Sequence, residues 1–306
     1  MPHITCISLQ TMQPVAIPQL TVLCLGNFDG VHVAHRALMH QAKMLRAHRF
    51  SDAACGVFCF DPPSSDYFTD APAHLSTREQ RLARFREAGM EFAMLASFDE
   101  LRALPPEEFV STVLRQSCHC VAAVCGFNYR FGHRGAGTPE RLRELLGNVI
   151  VQPEYTADGT TVSSSRIRAL LRDGKPQDAA KLLLHPYTLC ATVLHGKGLG
   201  HTWGFPTVNQ RFEENALIPR HGVYVTECTL PDGRRVRGVS NVGSHPTVDR
   251  QAEVNCETHL IDFAGDLYDQ KLSVAFLHFI RPEKKFSSAA ELREQIALDL
   301  SVAKSY

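Results

Sequence analysis

The chain has 306 residues, 44% hydrophobic and 21% charged, the composition of an ordinary globular protein, and this excludes disordered, collagenous and coiled-coil classes. Its 32 basic and 32 acidic side chains cancel, and they stay balanced on either side of residue 184, so neither part carries the positive field that phosphate-backbone binding needs. Nucleic acid is thereby excluded as a partner, and the length predicts two domains.

No run approaches the roughly 18 apolar residues of a membrane span, and the opening MPHITCISLQTMQPVAIPQL lacks the basic start and long apolar stretch of a signal peptide. A cytoplasmic chain with no membrane partner is expected. Ten cysteines are scattered through apolar segments, which fits buried thiols in a reducing compartment. Two clusters, Cys55 with Cys59 and Cys118-His119-Cys120, could ligate a metal, but neither has zinc-ribbon spacing or a second half.

From residue 20 to about 184, short apolar runs alternate with helical patterns, the grammar of a parallel sheet covered by helices. Strands are predicted over 20–25, 54–60, 91–96, 120–126 and 149–152. Ala34, Leu38, Ala42 and Leu45 recur at helical spacing, so a helix should follow His32 and pack its apolar face on the sheet. Ser76 with Glu79 forms a possible capping box, and Thr138-Pro139 offers an N-cap followed by proline at the first helical position. After His185-Pro186 the pattern changes to alternating runs separated by glycine, proline and aspartate. Strands are predicted over 187–194, 223–230, 235–241, 254–261 and 271–280, giving a small barrel or sandwich, with a closing helix over 289–303. The expected fold is thus an α/β N-terminal domain with an open parallel sheet, residues 1–184, followed by a small antiparallel β-barrel with a C-terminal helix, residues 185–306. The chain shows no internal repeat.

The segment GNFDGVHVAHRAL, residues 26–38, leaves the first strand and enters the first helix, where open α/β sheets bind ligands. Free amides and the positive helix end favour phosphate there, and Gly26 and Gly30 let the backbone come close. His32 and His35 share one face of the first turn, and two imidazoles facing a phosphate chain can donate to charge developing on it. An ordinary polar pair at a helix start would look the same. Downstream, Ser163-Ser164-Ser165-Arg166-Ile167-Arg168 precedes another short helix and offers hydroxyls, amides and guanidinium groups for a second grip on phosphates, although a serine triplet also serves as an N-cap.

No Gly-x4-Gly-Lys-Ser/Thr motif exists, which excludes a Walker-type kinase. HGKGLGHTWGFPTVNQ, residues 195–210, reads as a flexible flap, with Gly196, Gly200 and Gly204 among its glycines, made rigid at Pro206 before Thr207 and Asn209. A hydroxyl and a carboxamide carbonyl are hard oxygen donors suited to magnesium carrying nucleotide phosphates, while a glycine-rich hairpin turn is the plain alternative. In VNCETHLID, residues 254–262, alternation puts Asn255, Glu257 and His259 on one polar face. That face is either solvated or points a carboxylate into a cleft, where it can take the proton from an attacking substrate hydroxyl.

GNFDGVHVAH, GFNYRFG (126–132) and SSSRIR, in this order, resemble the N-terminal module of the prokaryotic bifunctional riboflavin kinase and FAD synthetase family, a nucleotidyltransferase fold with a His-x-Gly-His motif. GFPTVN, ETHLIDF, GVSNVGSHPTV and IRPEKKF resemble segments of that family's C-terminal flavokinase barrel of six strands, so the resemblance spans about residues 20 to 300. It implies adenylylation of FMN to FAD by the first module, with His32 and His35 at the ATP phosphates. Gly26, Asn27, Phe28, Asp29 and Gly30 would form the loop, Asn128 would hold nucleotide or magnesium, and Ser163, Ser164 and Arg168 would close on the phosphates. It implies phosphorylation of riboflavin by the second, with Glu257 as base and Thr207 and Asn209 binding Mg2+ with ATP. Gly196, Gly200, Gly204, Pro206 and Arg281 would lie at ATP and flavin. Riboflavin, FMN, FAD and ATP are the implied partners and Mg2+ the implied cofactor. Departures stand out: Ala34 replaces a motif glycine, Pro63 in FDPPSS replaces a histidine, and His201 and His245 stand where arginine is usual. Two other readings stay open, a monofunctional riboflavin kinase with a degenerate first domain and a flavin-binding regulator without turnover.

Overall fold

The computed structural model describes residues 5–8, 19–195, 204–244 and 254–306. The chain divides into two compact units, the first holding residues up to 72 with 76–164, the second 73–75 with 165–306.

In the first unit the elements run β1 (Thr5–Ser8), β2 (Thr21–Leu25), α1 (Val33–Arg49), β3 (Ala54–Phe60), α2 (Arg78–Glu87), β4 (Phe92–Ala96), α3 (Phe98–Leu101) and α4 (Pro106–Glu108). A π-helical segment Phe109–Ser117 leads to β5 (Cys120–Gly126), α5 (Pro139–Leu146), β6 (Val149–Gln152) and a two-strand hairpin of β7 (Thr156–Ala157) and β8 (Thr160–Thr161). The six strands β1 to β6 form one sheet in the order β1-β4-β3-β2-β5-β6, every neighbouring pair parallel. Because parallel strands are buried on both faces, they read as unbroken apolar runs, and β2 and β4 are buried at every position. One face packs Leu38, Met39, Ala42 and Leu45 of α1 and Phe85 of α2 against Val22, Cys24 and Val57. The other packs Phe109, Val113 and Leu114 with Leu142 and Leu146 of α5 on Leu23, Phe58 and Cys125.

The expected open α/β domain is therefore present, with one strand more than expected, since β1 precedes the region where the alternation begins. The Thr138-Pro139 cap is as expected. The capping box of α2 is shifted by one residue: Thr77 and Gln80 make it, because Ser76 is committed to the loop after β2. Chain order explains where a ligand can enter. From β2 the chain builds β3 and β4 to one side and β5 and β6 to the other, so the loops after β2 and β5 diverge and leave a crevice at their carboxyl ends.

In the second unit, α6 (Ser164–Arg172) and α7 (Pro176–Leu183) lead to β9 (Tyr187–Thr192), β10 (Val208–Arg211), β11 (Gly222–Thr229), β12 (Arg235–Ser244), β13 (Val254–Leu260), β14 (Lys271–Arg281) and α8 (Ala289–Ser305). The serine triplet thus enters α6 instead of preceding it. The order β10-β13-β12-β11-β14-β9 is antiparallel throughout. A bridge from Leu194 N to Asn209 O, 2.7 Å, brings the last strand back to the first. Gln210 completes that seam from inside: it is fully buried and its Nε2 donates to Ala191 O and Leu272 O at 2.6 and 2.9 Å. The barrel has six strands where residue patterns gave five, because β10 is only four residues long and too polar to read as a strand. Its outer surface is covered in part by α8, through Ala303 and Leu300 on Val225, Val239 and Ile261.

Candidate functional sites

In the first unit, a cavity of about 1020 Å³ opens at the crevice between β2 and β5. The loop after β2 forms one wall. A Cβ at Gly26 would crowd the Phe28 ring at 3.1 Å, and Gly30 adopts φ 78°. Phe28 is buried edge-on against Phe85 and His35, which fixes the loop to α1 and α2. Asp29 is buried and turns away from the cavity, accepting from Ser76 N and Oγ at 3.2 and 3.1 Å. Ser76 Oγ in turn accepts from Gly30 N at 3.0 Å, and Ser164 Oγ donates to Asp29 O at 3.0 Å.

Arg81, 3% exposed, ties this loop to the end of β3. Its Nη1 donates to Asn27 O and Phe60 O at 3.3 and 3.4 Å, and its Nη2 meets Asp61 Oδ1 at 2.8 Å. Ser64 Oγ donates to Asn27 Oδ1 at 3.2 Å from the cavity wall. None of these anchors carries a local sequence signal; each joins residues 20 to 135 apart, so only the folded chain reveals them.

His32 is the N-cap residue of α1 and His35 follows one turn on, their rings stacked at 3.7 Å and 16°. Burial, then the neighbouring His32, holds the His35 pKa well below the usual imidazole value, so His35 is neutral at physiological pH. Its Nδ1 is buried without a hydrogen-bond partner in the structure. Gly26, Asn27, Phe28, Asn128, Ser163 and Ser164 also line the cavity. Asp29 and Gly30 support the loop from behind. Arg168 is not among the lining residues: it is buried in the second unit and its Nε donates to Ala73 O at 2.6 Å. Ala34 lines the cavity; Pro63 does not.

In the barrel, strand register brings together residues far apart in sequence. Asn209 on β10 stands directly opposite Glu257 on β13, and Glu257 stands opposite Asn241 on β12. Directly opposed residues of an antiparallel pair have Cβ atoms about 4.5–5.5 Å apart, so these three polar groups share one patch of outer surface. Cys256, Thr258 and Leu260 point inward and are buried, while Asn255, Glu257 and His259 are half-exposed, as the alternation predicts. Thr207 immediately precedes β10, and His259 Nδ1 donates to Pro206 O at 2.8 Å, pinning that segment to β13. Asn241 was missed in the sequence because only the register reveals it. Arg281 is held by Asp299 of α8, with contacts of 3.1, 3.1 and 2.8 Å, and ties β14 to that helix. Gly204 is exposed with φ 83°. Gly196, Gly200, His201 and His245 lie outside the described residues.

Thr207 hydroxyl, Asn209 carbonyl and the adjoining carboxylate are a hard oxygen set, which fits a magnesium ion that keeps waters and substrate phosphates as further ligands. Among the described residues no group of three His, Cys, Asp or Glu is arranged to hold a metal ion. The cysteine clusters are buried thiols: desolvation pushes Cys55 to about 11 and Cys120 to about 12, and raises Cys118 further.

A parallel α/β unit with a crevice lined by imidazoles, hydroxyls and guanidinium groups, followed by an antiparallel barrel with an outer polar row, is the two-module architecture of a nucleotide-dependent transferase. Residues 15–166 match the family described as FAD synthetase and residues 183–306 the family described as riboflavin kinase. The chain is 30% identical over 285 residues to the bifunctional riboflavin kinase/FMN adenylyltransferase of Listeria monocytogenes, covering 91% of this chain and 90% of that one. It is 33% identical to the protein of the same description from Pseudomonas fluorescens, covering 93% and 92%. A crystal structure described as a macrolide-efflux protein from Streptococcus pneumoniae superposes with a TM-score of 0.89 at 29% identity, covering 99% of this chain and 100% of that one. The chain belongs to the bifunctional riboflavin kinase/FMN adenylyltransferase family. No described helix is long and apolar enough to cross a membrane.

Proposed function

We propose that the barrel transfers the terminal phosphate of ATP to riboflavin, giving FMN and ADP, and that the α/β unit transfers AMP from a second ATP to FMN, giving FAD and pyrophosphate. We assign residues 1–184 to the adenylyltransferase module and 185–306 to the kinase module, in the cytoplasm where ATP and free flavin meet. The observation that carries the reading is the cross-strand pair Asn209 and Glu257, which sets a carboxylate beside a carboxamide oxygen.

In the kinase module Glu257 takes the proton from the flavin hydroxyl as that oxygen attacks phosphorus. Thr207 and Asn209 would hold Mg2+, which when bound would supply positive charge against that growing on the phosphate during transfer. Gly204 and Pro206 flank the nucleotide, and Arg281 fixes β14 and α8 beside it. In the adenylyltransferase module, catalysis is positioning and charge stabilisation. His32 and the neutral His35 donate N–H bonds to the phosphate oxygens, Ser163 and Ser164 add hydroxyls, and Asn128 orients the nucleotide.

The test is a time course with riboflavin, excess ATP and magnesium, the flavins separated by chromatography. FMN should appear and give way to FAD. Glu257→Gln should abolish FMN formation while FMN supplied directly is still converted to FAD. FMN that accumulates without FAD in the unaltered protein would instead select a kinase with an inactive first domain.

A further inference from the structure

The cavity of the first unit is lined by three arginines and two histidines, and by no aspartate or glutamate. Low-dielectric walls with one sign of charge concentrate an anion. The imidazoles come from the β2 side, where the helix end and the serine hydroxyls already provide for ATP. The arginines come from the opposite side. Arg102 is occupied by Asp99 at 3.1 Å, but Arg130 and Arg134 are exposed and belong to no ion pair among the described residues.

The loop that carries them is fixed. Phe131 and Gly137 exchange two backbone hydrogen bonds, 3.2 and 2.8 Å, and His133 N donates to Leu104 O at 2.7 Å. Arg134 itself sits at φ 52°, ψ 25°, a left-handed conformation that a non-glycine residue keeps where its surroundings dictate it. The same loop contributes Tyr129 and Phe131, stacked at 5.9 Å, and Phe131 contacts Phe109 at 5.6 Å. Aromatic wall and guanidinium groups outside any described ion pair therefore arrive together. The first suits a flat heteroaromatic ring system; the second matches the geometry of a phosphate monoester.

We propose that Arg130 and Arg134 bind the phosphate of FMN and so make the adenylyltransferase site select the phosphorylated flavin over riboflavin. Riboflavin offers the same ring and chain but ends in a neutral hydroxyl, and an aromatic wall alone cannot tell the two apart. The proposal rests on the assignment of this cavity to adenylyl transfer.

The experiment measures FAD formation with FMN varied at saturating ATP and magnesium, and then with ATP varied, for Arg130→Gln, Arg134→Gln and the double variant. KM for FMN should rise roughly 10- to 100-fold in the double variant, the loss of charge-assisted hydrogen bonds. KM for ATP should stay within about twofold and FMN formation from riboflavin should not change. Arg134→Lys, which keeps the charge but not the fork, should recover part of the affinity, while Arg134→Gly, which relieves the backbone but removes the charge, should recover none. An unchanged KM for FMN overturns the proposal, as does a rise confined to ATP, which would move the arginines to the nucleotide. His32→Asn, measured alongside, separates the two ideas. If it spares FAD formation the cavity assignment itself fails; if it abolishes FAD formation while the arginine variants behave as the unaltered protein, the arginine proposal alone fails.

Discussion

Replacing Arg81 with methionine removes the side chain that holds the loop after β2 in place. Methionine matches the length of the stem, so the perturbation is the guanidinium alone. Three acceptors lose it: Asn27 O, Phe60 O and Asp61 Oδ1. Breaking a buried ion pair from one side costs about 3–5 kcal/mol. Here the figure is smaller, because Asp61 is 17% exposed and keeps Arg78 at 3.1 Å. We expect about 2–3 kcal/mol, the sum of a weakened pair and one or two carbonyls left without a donor. By calorimetry this lowers the transition of the first unit by about 5–10 °C. In the same protein, at a temperature where it is folded, FAD formation from FMN should fall about tenfold or more, since the loop no longer presents a fixed wall to the phosphates. Riboflavin phosphorylation should hold its rate. Arg81→Lys, which keeps the charge, should fall between. The reasoning is refuted if Arg81→Met changes stability by less than about 0.5 kcal/mol and leaves FAD formation intact, or if both activities fall together.

His35 keeps a depressed pKa when folded, so the unfolded chain binds the extra proton more readily as pH drops below about 6.5. The stability this ring contributes is complete above that pH and is lost as pH falls through its folded pKa. In urea unfolding at several pH values, His35→Gln should therefore flatten part of the acid decline, and an unchanged profile would count against the burial argument. In the barrel, Gln210→Met leaves Ala191 O and Leu272 O in a dry interior, offset in part by removal of an Oε1 that has no partner. A net loss of about 1–2 kcal/mol in the unfolding of the second unit is expected, and a neutral result would mean that the seam does not depend on this side chain. At the cavity, Ser64→Ala should slow FAD formation, whereas Pro63→His should leave it within about twofold, since residue 64 and not 63 forms the wall. The reverse ranking in initial rates would show that the position is read wrongly.

Elements with a local cause were legible. The apolar runs of β2 and β4, the spacing of Leu38, Ala42 and Leu45 and the polar alternation of Asn255, Glu257 and His259 follow from periodicity, which needs no partner to be read. What could not be read depends on pairing. Ser76 looks like a cap, and its chemistry is right for one, yet it serves Asp29 and Gly30 across 46 residues, so Thr77 takes the helix end. VNQR is too short and polar to declare itself a strand, and only closure of the barrel on Gln210 makes it one. Asn241 joins Glu257 because two strands align in a register that no single strand encodes. The same distinction bears on the departures from family pattern. A substituted motif residue is a defect only if its position faces the substrate, and that is a property of the folded wall. Ala34 faces the cavity and Pro63 does not. The loss of a histidine at 63 is thus a weak argument against FAD synthesis, and the added methyl group at 34, on the first turn of the helix that carries both imidazoles, is the departure with a physical route to the chemistry.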